Sequence, residues 1–119
     1  MALAIAITLL SASNGSSTVS VAYQNAIRKY DSCIEARMLE LEPSNAATDD
    51  IFEAAKTECA GVWVDSAIAL QSDFEQTAPA PSGKSSQQLA IETLTDTEKS
   101  AKDRARVKIL RKRAGLSNP

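Results

Sequence analysis

Apolar residues recur at three- and four-residue steps through Tyr23, Ile27, Tyr30, Ile34, Met38 and Leu41, the spacing that aligns side chains on one face of an α-helix. The pattern predicts a first helix over residues 19–42, capped by Thr18 or Ser20. Pro43 cannot continue it, and Ser44-Asn45-Ala46-Ala47 has the length of a connection between antiparallel helices. Thr48 is the predicted N-cap of a second helix over residues 49–74, with Asp49 and Asp50 at the positive end of its dipole. That helix carries Ile51, Phe52, Ala55, Cys59, Val62, Ala69 and Leu70. Laid antiparallel, the two arms bring Leu41 to Ile51, Met38 to Ala55 and Tyr30 to Val62. At about 1.5 Å of rise per residue, the arms from the turn to Cys33 and to Cys59 span roughly 12 and 15 Å. The two cysteines are therefore predicted to meet in a disulfide. Cysteine counting and apolar periodicity arrive at the same register independently.

The second helix has apolar residues to spare. Ala60, Trp63, Val64, Ala67 and Ile68 form a stripe that the first helix cannot cover alone, so a third helix, the N-terminal segment or another protomer is expected against it. Residues 77–87, rich in Pro, Ser and Gly, read as a linker. They contain Gly83-Lys84-Ser85, the tail of a phosphate-binding loop. Ala78 stands where that motif needs its first glycine, and no buried strand precedes it, so the match is set aside. A polar helix follows over residues 88–115, with Leu89 to Leu94 leading into a capping-box pattern at Thr95-x-x-Glu98 and Gly115 closing the end. Its apolar content is thin: Ala101, Ala105, Val107, Ile109, Leu110 and Ala114.

Residues 1–10 are apolar apart from Thr8, and small residues follow at 11–15, so residues 1–15 read as a secretory signal peptide. No Lys or Arg precedes the apolar run, which is a departure from the usual leader. The run is about half the roughly twenty residues of a membrane span, so no transmembrane anchor is predicted. Asn14-Gly15-Ser16 fits a glycosylation acceptor but falls at the expected cleavage site.

Composition narrows the chemistry. The 119 residues hold one Trp, two Tyr and two Phe, so any core is aliphatic and alanine-rich and a deep ligand cavity is not expected. There is no histidine, which removes the commonest general base and the commonest metal ligand, and two cysteines alone do not make a zinc site. No catalytic residue, cofactor or metal is assigned, and the chain is expected not to be an enzyme. Asp31 and Glu35, a like-charge pair one turn apart, read as part of a solvated face rather than as an acid/base pair.

The overall charge of −2 conceals an asymmetry: five basic against twelve acidic residues up to Leu94, and eight basic against three acidic after it. Such polarity predicts either that the basic helix folds back on the acidic hairpin or that it meets an anionic partner. The candidate anion contacts are Arg104, Lys108, Arg111, Lys112 and Arg113. Cations at a helix C-terminus also offset its dipole, and without interleaved aromatics a nucleic-acid partner is disfavoured relative to an anionic membrane or envelope surface.

The segment Tyr30-Asp-Ser-Cys33-Ile-Glu-Ala-Arg, with Leu41-Glu-Pro-Ser44, Ile51-Phe-Glu-Ala-Ala and Cys59, resembles short exported proteins of Gram-negative bacteria that carry a two-cysteine helical hairpin. The resemblance covers residues 23–70 and implies an envelope or secreted setting; it supplies no activity, ligand or functional residue. The expectation is an all-α protein: an antiparallel helical hairpin (residues 18–76) stapled by Cys33 and Cys59, linked to a third, basic helix. Its expected role is structural or interaction-based, in the periplasm or secreted, with a protein partner or self-association. The alternative is an anionic-surface binding module acting through the basic helix.

Overall fold

In the computed structural model, residues 20–77 and 83–116 are described. Four helices account for most of them: α1 (Val21–Leu41), α2 (Thr48–Glu58), α3 (Ala60–Thr77) and α4 (Ser86–Arg113). A short 3-10 turn, Glu42–Ser44, follows α1. No strand occurs among the described residues. The sequence-predicted leader over 1–15, Thr18 and residues 78–82 of the linker lie outside the described residues.

Helix α1 begins at Ser20, whose hydroxyl accepts the Tyr23 N–H at 3.0 Å and donates to the Asp73 carboxylate of α3. One side chain thus satisfies an orphan donor of the helix start and ties two helices together. The helix stops at Pro43, and Asn45 takes the left-handed conformation at φ 59°, which lets the chain reverse. Ala26, Tyr30, Ile34 and Met38 are buried at four-residue steps, while Tyr23, Ile27 and Leu41 are half-buried.

The second arm is not the single helix that periodicity predicts. It is interrupted at Cys59, which has φ −93° and ψ 9°. The backbone hydrogen bonds resume at once, from Trp63 N–H to the Cys59 carbonyl at 2.9 Å. The interruption falls on the residue that must reach α1, since Cys33 and Cys59 form the disulfide with their Cα atoms 6.0 Å apart. The cap also differs: Ala47 occupies the N-cap position of α2, and Thr48 is the first helical residue. Antiparallel packing of α1 against α3 continues beyond the bridge, with Ser66 Oγ donating to the Ala26 carbonyl at 3.2 Å and Tyr23 meeting Phe74 edge-on at 5.8 Å.

Helix α4 starts at Ser86, two residues before the predicted bound of 88 and well before the capping pattern at Thr95. Its N-cap is Ser85, whose side chain accepts the Gln88 N–H at 3.1 Å while Gln88 returns a carbonyl oxygen to the Ser85 N–H at 2.9 Å. This is the true capping box. Thr95 lies inside the helix, its hydroxyl donating to the Ile91 carbonyl. The reason is burial: Ala90 and Leu94, which a start at Thr95 would leave outside, belong to the core stripe with Thr97, Ala101, Ala105 and Ile109. Small residues along that stripe let the α4 backbone approach its neighbours closely. Gly115, at φ 75°, ends the helix, with Leu116 N–H bonded to the Arg111 carbonyl and Gly115 N–H to that of Lys112.

Contacts between α1 and α4 pair Tyr30 with Glu98, Glu35 with Lys108 and Glu42 with Lys112, so these two helices run parallel. The α2–α3 arm runs against both. The result is a bundle in which α1, α3 and α4 each pack against the other two, and its core is Tyr30, Ile34, Met38, Ile51, Leu70, Leu94 and Ile109, all at most 2% exposed.

Candidate functional site

The cations proposed as anion contacts are engaged within the chain. Arg104 Nη2 reaches both Asp31 carboxylate oxygens at 2.6 Å and Glu35 at 3.2 Å. Lys108 pairs with the other Glu35 oxygen. Lys112 meets Glu42 at 2.7 Å. Arg113 bonds the carbonyls of Ala46 and Glu42 at 2.8 and 3.3 Å, in the turn that joins α1 to α2. Of the two outcomes that the charge asymmetry predicts, the basic helix takes the first: it folds back on the acidic hairpin.

The electrostatics follow from these contacts. The Lys108 hydrogen bond, helped by Arg104, holds the Glu35 carboxyl below the usual carboxylate range against the opposing effect of desolvation. Lys112, followed by Arg113, does the same for Glu42. The Asp31 hydrogen bond raises the Arg104 pKa further. Asp31 and Glu35, read from sequence as a solvated like-charge pair, are in fact the α1 half of this ladder. The signal for it was present: Asp31 and Glu35 are four residues apart, and so are Arg104 and Lys108, which lets two parallel helices match both rungs.

A second polar contact is more deeply set. Tyr30 is 1% exposed and its hydroxyl donates to Glu98 of α4. Burial first, then the Glu98 hydrogen bond and charge, push the Tyr30 pKa well above its ordinary value, so the phenol stays a donor throughout the neutral range. This contact was not anticipated from sequence. Among the described residues, no buried side-chain nitrogen or oxygen lacks a partner, and no group of three or more His, Cys, Asp or Glu could hold a metal ion. No helix among them is long and apolar enough to cross a membrane.

What the bundle leaves uncovered is apolar. The stripe expected on the second arm is met by α4 only along one edge: Trp63 and Ala67 are half-buried against it. Val64 and Ile68 remain 50% and 64% exposed, and Ile91 of α4 adds a third aliphatic at 40%. The shallow depression between α3 and α4 that these residues line contains Gln71 and Gln87 but no ionised side chain. A wider open groove of about 670 Å³ runs between α1 and α3, floored by Ala22, Ala26, Val62 and Ala69 and edged by Arg28, Lys29 and Asp65. Both are surface features rather than enclosed pockets.

An all-α, disulfide-braced helical bundle with an exposed apolar face is thus the class of protein that the fold defines. Compared with protein-family models, curated proteins and solved structures, the chain matches none of them.

Proposed function

We propose that this is a small exported protein whose role is physical rather than catalytic: a rigid helical body that presents an apolar face to a protein partner in the cell envelope or outside it. The observation that carries the reading is the group of large aliphatic side chains, Val64, Ile68 and Ile91, exposed together around a depression whose lining holds no ionised side chain. Contiguous exposed apolar patches mark contact surfaces for proteins or membranes as well as ligand grooves, and the depression here is too shallow to enclose a ligand. The disulfide supports an oxidising compartment, since such bonds persist chiefly outside the cytosol. Support for a non-catalytic role comes from the carboxylates and cations nearest to a conceivable acid/base set, Asp31, Glu35, Arg104 and Lys108, which are spent on joining α1 to α4.

The alternative, an anionic-surface module acting through α4, requires cations free to meet phosphate. Arg104, Lys108, Lys112 and Arg113 are already paired, and breaking those contacts would set the binding energy against the fold. The test compares the wild-type chain with Ile68→Glu in cross-linking on intact cells, with fractionation of the same cells. The expected result is envelope or extracellular material that cross-links through the α3 face and loses that product in the variant. Purely cytosolic chain with both cysteines alkylated before any reductant is added would overturn the export reading. Cross-linking unchanged by Ile68→Glu would overturn the docking face.

A further inference from the structure

We infer that the outward face of the C-terminal end of α4 is a membrane-contact surface, which rests on an anionic lipid bilayer with Val107, Leu110 and Leu116 dipped into the interface. The inference goes beyond the proposed protein-docking role. It uses neither the α3–α4 depression nor the release of any ladder cation.

The first observation is where the chain exposes its aliphatics. Val107 stands two residues from both Ala105 and Ile109, about half a turn round the helix from the buried stripe. It is 54% exposed, and Leu110, three residues on, is 48% exposed. The Gly115 turn then reverses the chain, with the Leu116 N–H on the Arg111 carbonyl. In such a turn the residue in Leu116's place falls back toward the helical turn that holds Leu110. Leu116 is 55% exposed. Val107 and Leu110 thus lie on the side of α4 turned away from the core, and Leu116 joins them at its end.

The second observation is charge. Residues 104–116 hold six basic residues and no Asp or Glu. Arg104, Lys108, Lys112 and Arg113 share three carboxylates, those of Asp31, Glu35 and Glu42, so the ladder keeps a positive excess with every rung closed. Arg106 adds to that excess. It is exposed on one flank of the aliphatic strip and has no hydrogen bond or ion pair among the described residues. Arg111 stands on the other flank, half-buried and engaged within the chain. The exposed acids come earlier along α4: Asp103 precedes Val107 by one turn, and Asp49 of α2, with Asp50 beside it in the chain, pairs with Lys102 at that level. The contact is therefore oblique, made by the C-terminal end of α4 with those acids tilted away.

The two observations together select lipid. An aliphatic strip flanked by long cationic side chains is the pattern of helices that lie in a membrane interface, where the stems follow the apolar surface and the heads reach phosphate. A protein partner would have to supply a fitted groove, and such contacts favour aromatic anchors. Residues 104–116 contain no aromatic, and a fluid surface needs no preformed fit.

Co-sedimentation of the oxidised full chain with lipid vesicles tests this, with circular dichroism as the control for folding. Vesicles of phosphatidylglycerol and phosphatidylcholine in equal parts bind the chain at low salt, and phosphatidylcholine alone binds it about tenfold less tightly. Added salt weakens the binding. Arg106→Gln weakens it about fivefold. Val107→Ser combined with Leu110→Ser, which leaves every charge in place, weakens it about tenfold. Ile68→Ser, on the α3–α4 depression, leaves it unchanged. No binding to the mixed vesicles at low salt overturns the inference and leaves the proposed docking face untouched. Equal binding to both vesicle types overturns it, as does binding indifferent to the double serine variant, where charge alone would be at work. An equal loss with Ile68→Ser moves the contact to the other face and overturns it too. So does binding that disappears when residues 1–15 are removed. Polyglutamate bound as tightly as the mixed vesicles would assign the face to an acidic protein instead.

Discussion

Reducing the Cys33–Cys59 bridge without altering any side chain isolates what the cross-link contributes. The bond closes a loop with a sequence separation of 26. Chain-entropy reasoning for a loop of that size gives about 3.5 kcal/mol of stabilisation, acting mainly by restricting the unfolded chain. Reduction leaves both thiols in place, so no cavity opens and the buried Cys59 still fills its site. The rest of the bundle also continues to hold α1 to α3, through Ser20 and Asp73, Ser66 and Ala26, and the packing of α4 on both. The native helix content should therefore survive reduction at room temperature, while the melting temperature falls by roughly 15 to 25 °C for a domain of this size. Urea unfolding followed by circular dichroism, with and without a phosphine reductant, provides the measurement. The midpoint should drop and the m-value rise, because the reduced unfolded chain exposes more surface. A change of less than about 1 kcal/mol would refute the reasoning, since it would mean that α4 alone restricts the chain as much as the bond does. Loss of helicity on reduction at room temperature would refute it from the other side.

Three further outcomes follow from the packing and the charge ladder. Glu35 and Glu42 have depressed folded-state pKa values, so the stability they contribute is present above the ordinary carboxylate range and is lost as pH falls through their folded values. Thermal melts between neutral and strongly acidic pH should show this decline, and Glu35→Gln should flatten it while costing about 0.5 to 1 kcal/mol at neutral pH, discounted for the half-exposed Arg104 and Lys108. Ala101→Leu, at a fully buried position on the α4 stripe, should destabilise by about 1 to 3 kcal/mol through overpacking, measured by urea unfolding. Gly61→Ala should stabilise the monomer by about 0.5 kcal/mol in the same assay at low concentration, because helix propensity improves and the added methyl meets no neighbour.

The parts of this fold that could be read in advance are those set by local chemistry. Pro43 ends α1, Gly115 ends α4, and the apolar steps from Tyr30 to Met38 define a buried face whatever they pack against. The bridge was legible because two counts of residues from one turn had to agree. What escaped were choices settled by packing. Ser85-x-x-Gln88 and Thr95-x-x-Glu98 both look like helix starts, and only the burial of Ala90 and Leu94 decides between them. The break at Cys59 coincides with the bridge to a residue 26 positions away, which periodicity along one helix does not register. The ion pairs escaped for the same reason: on a single helix Asp31 and Glu35 repel, and their meaning changes once a parallel helix brings Arg104 and Lys108 alongside. The exposed stripe was anticipated, but which part of it α4 would cover was not.

The parallel placing of α1 and α4 has a kinetic side. Their contacts join residues 67 to 73 positions apart, whereas the hairpin closes through a turn between adjacent segments. Searching for a distant match takes longer than zipping a nearby one, so the α1–α4 contacts are expected to close after the turn that joins α1 to α2. Arg113, gripping carbonyls at that bend, ties one end of the chain's described part to its first reversal.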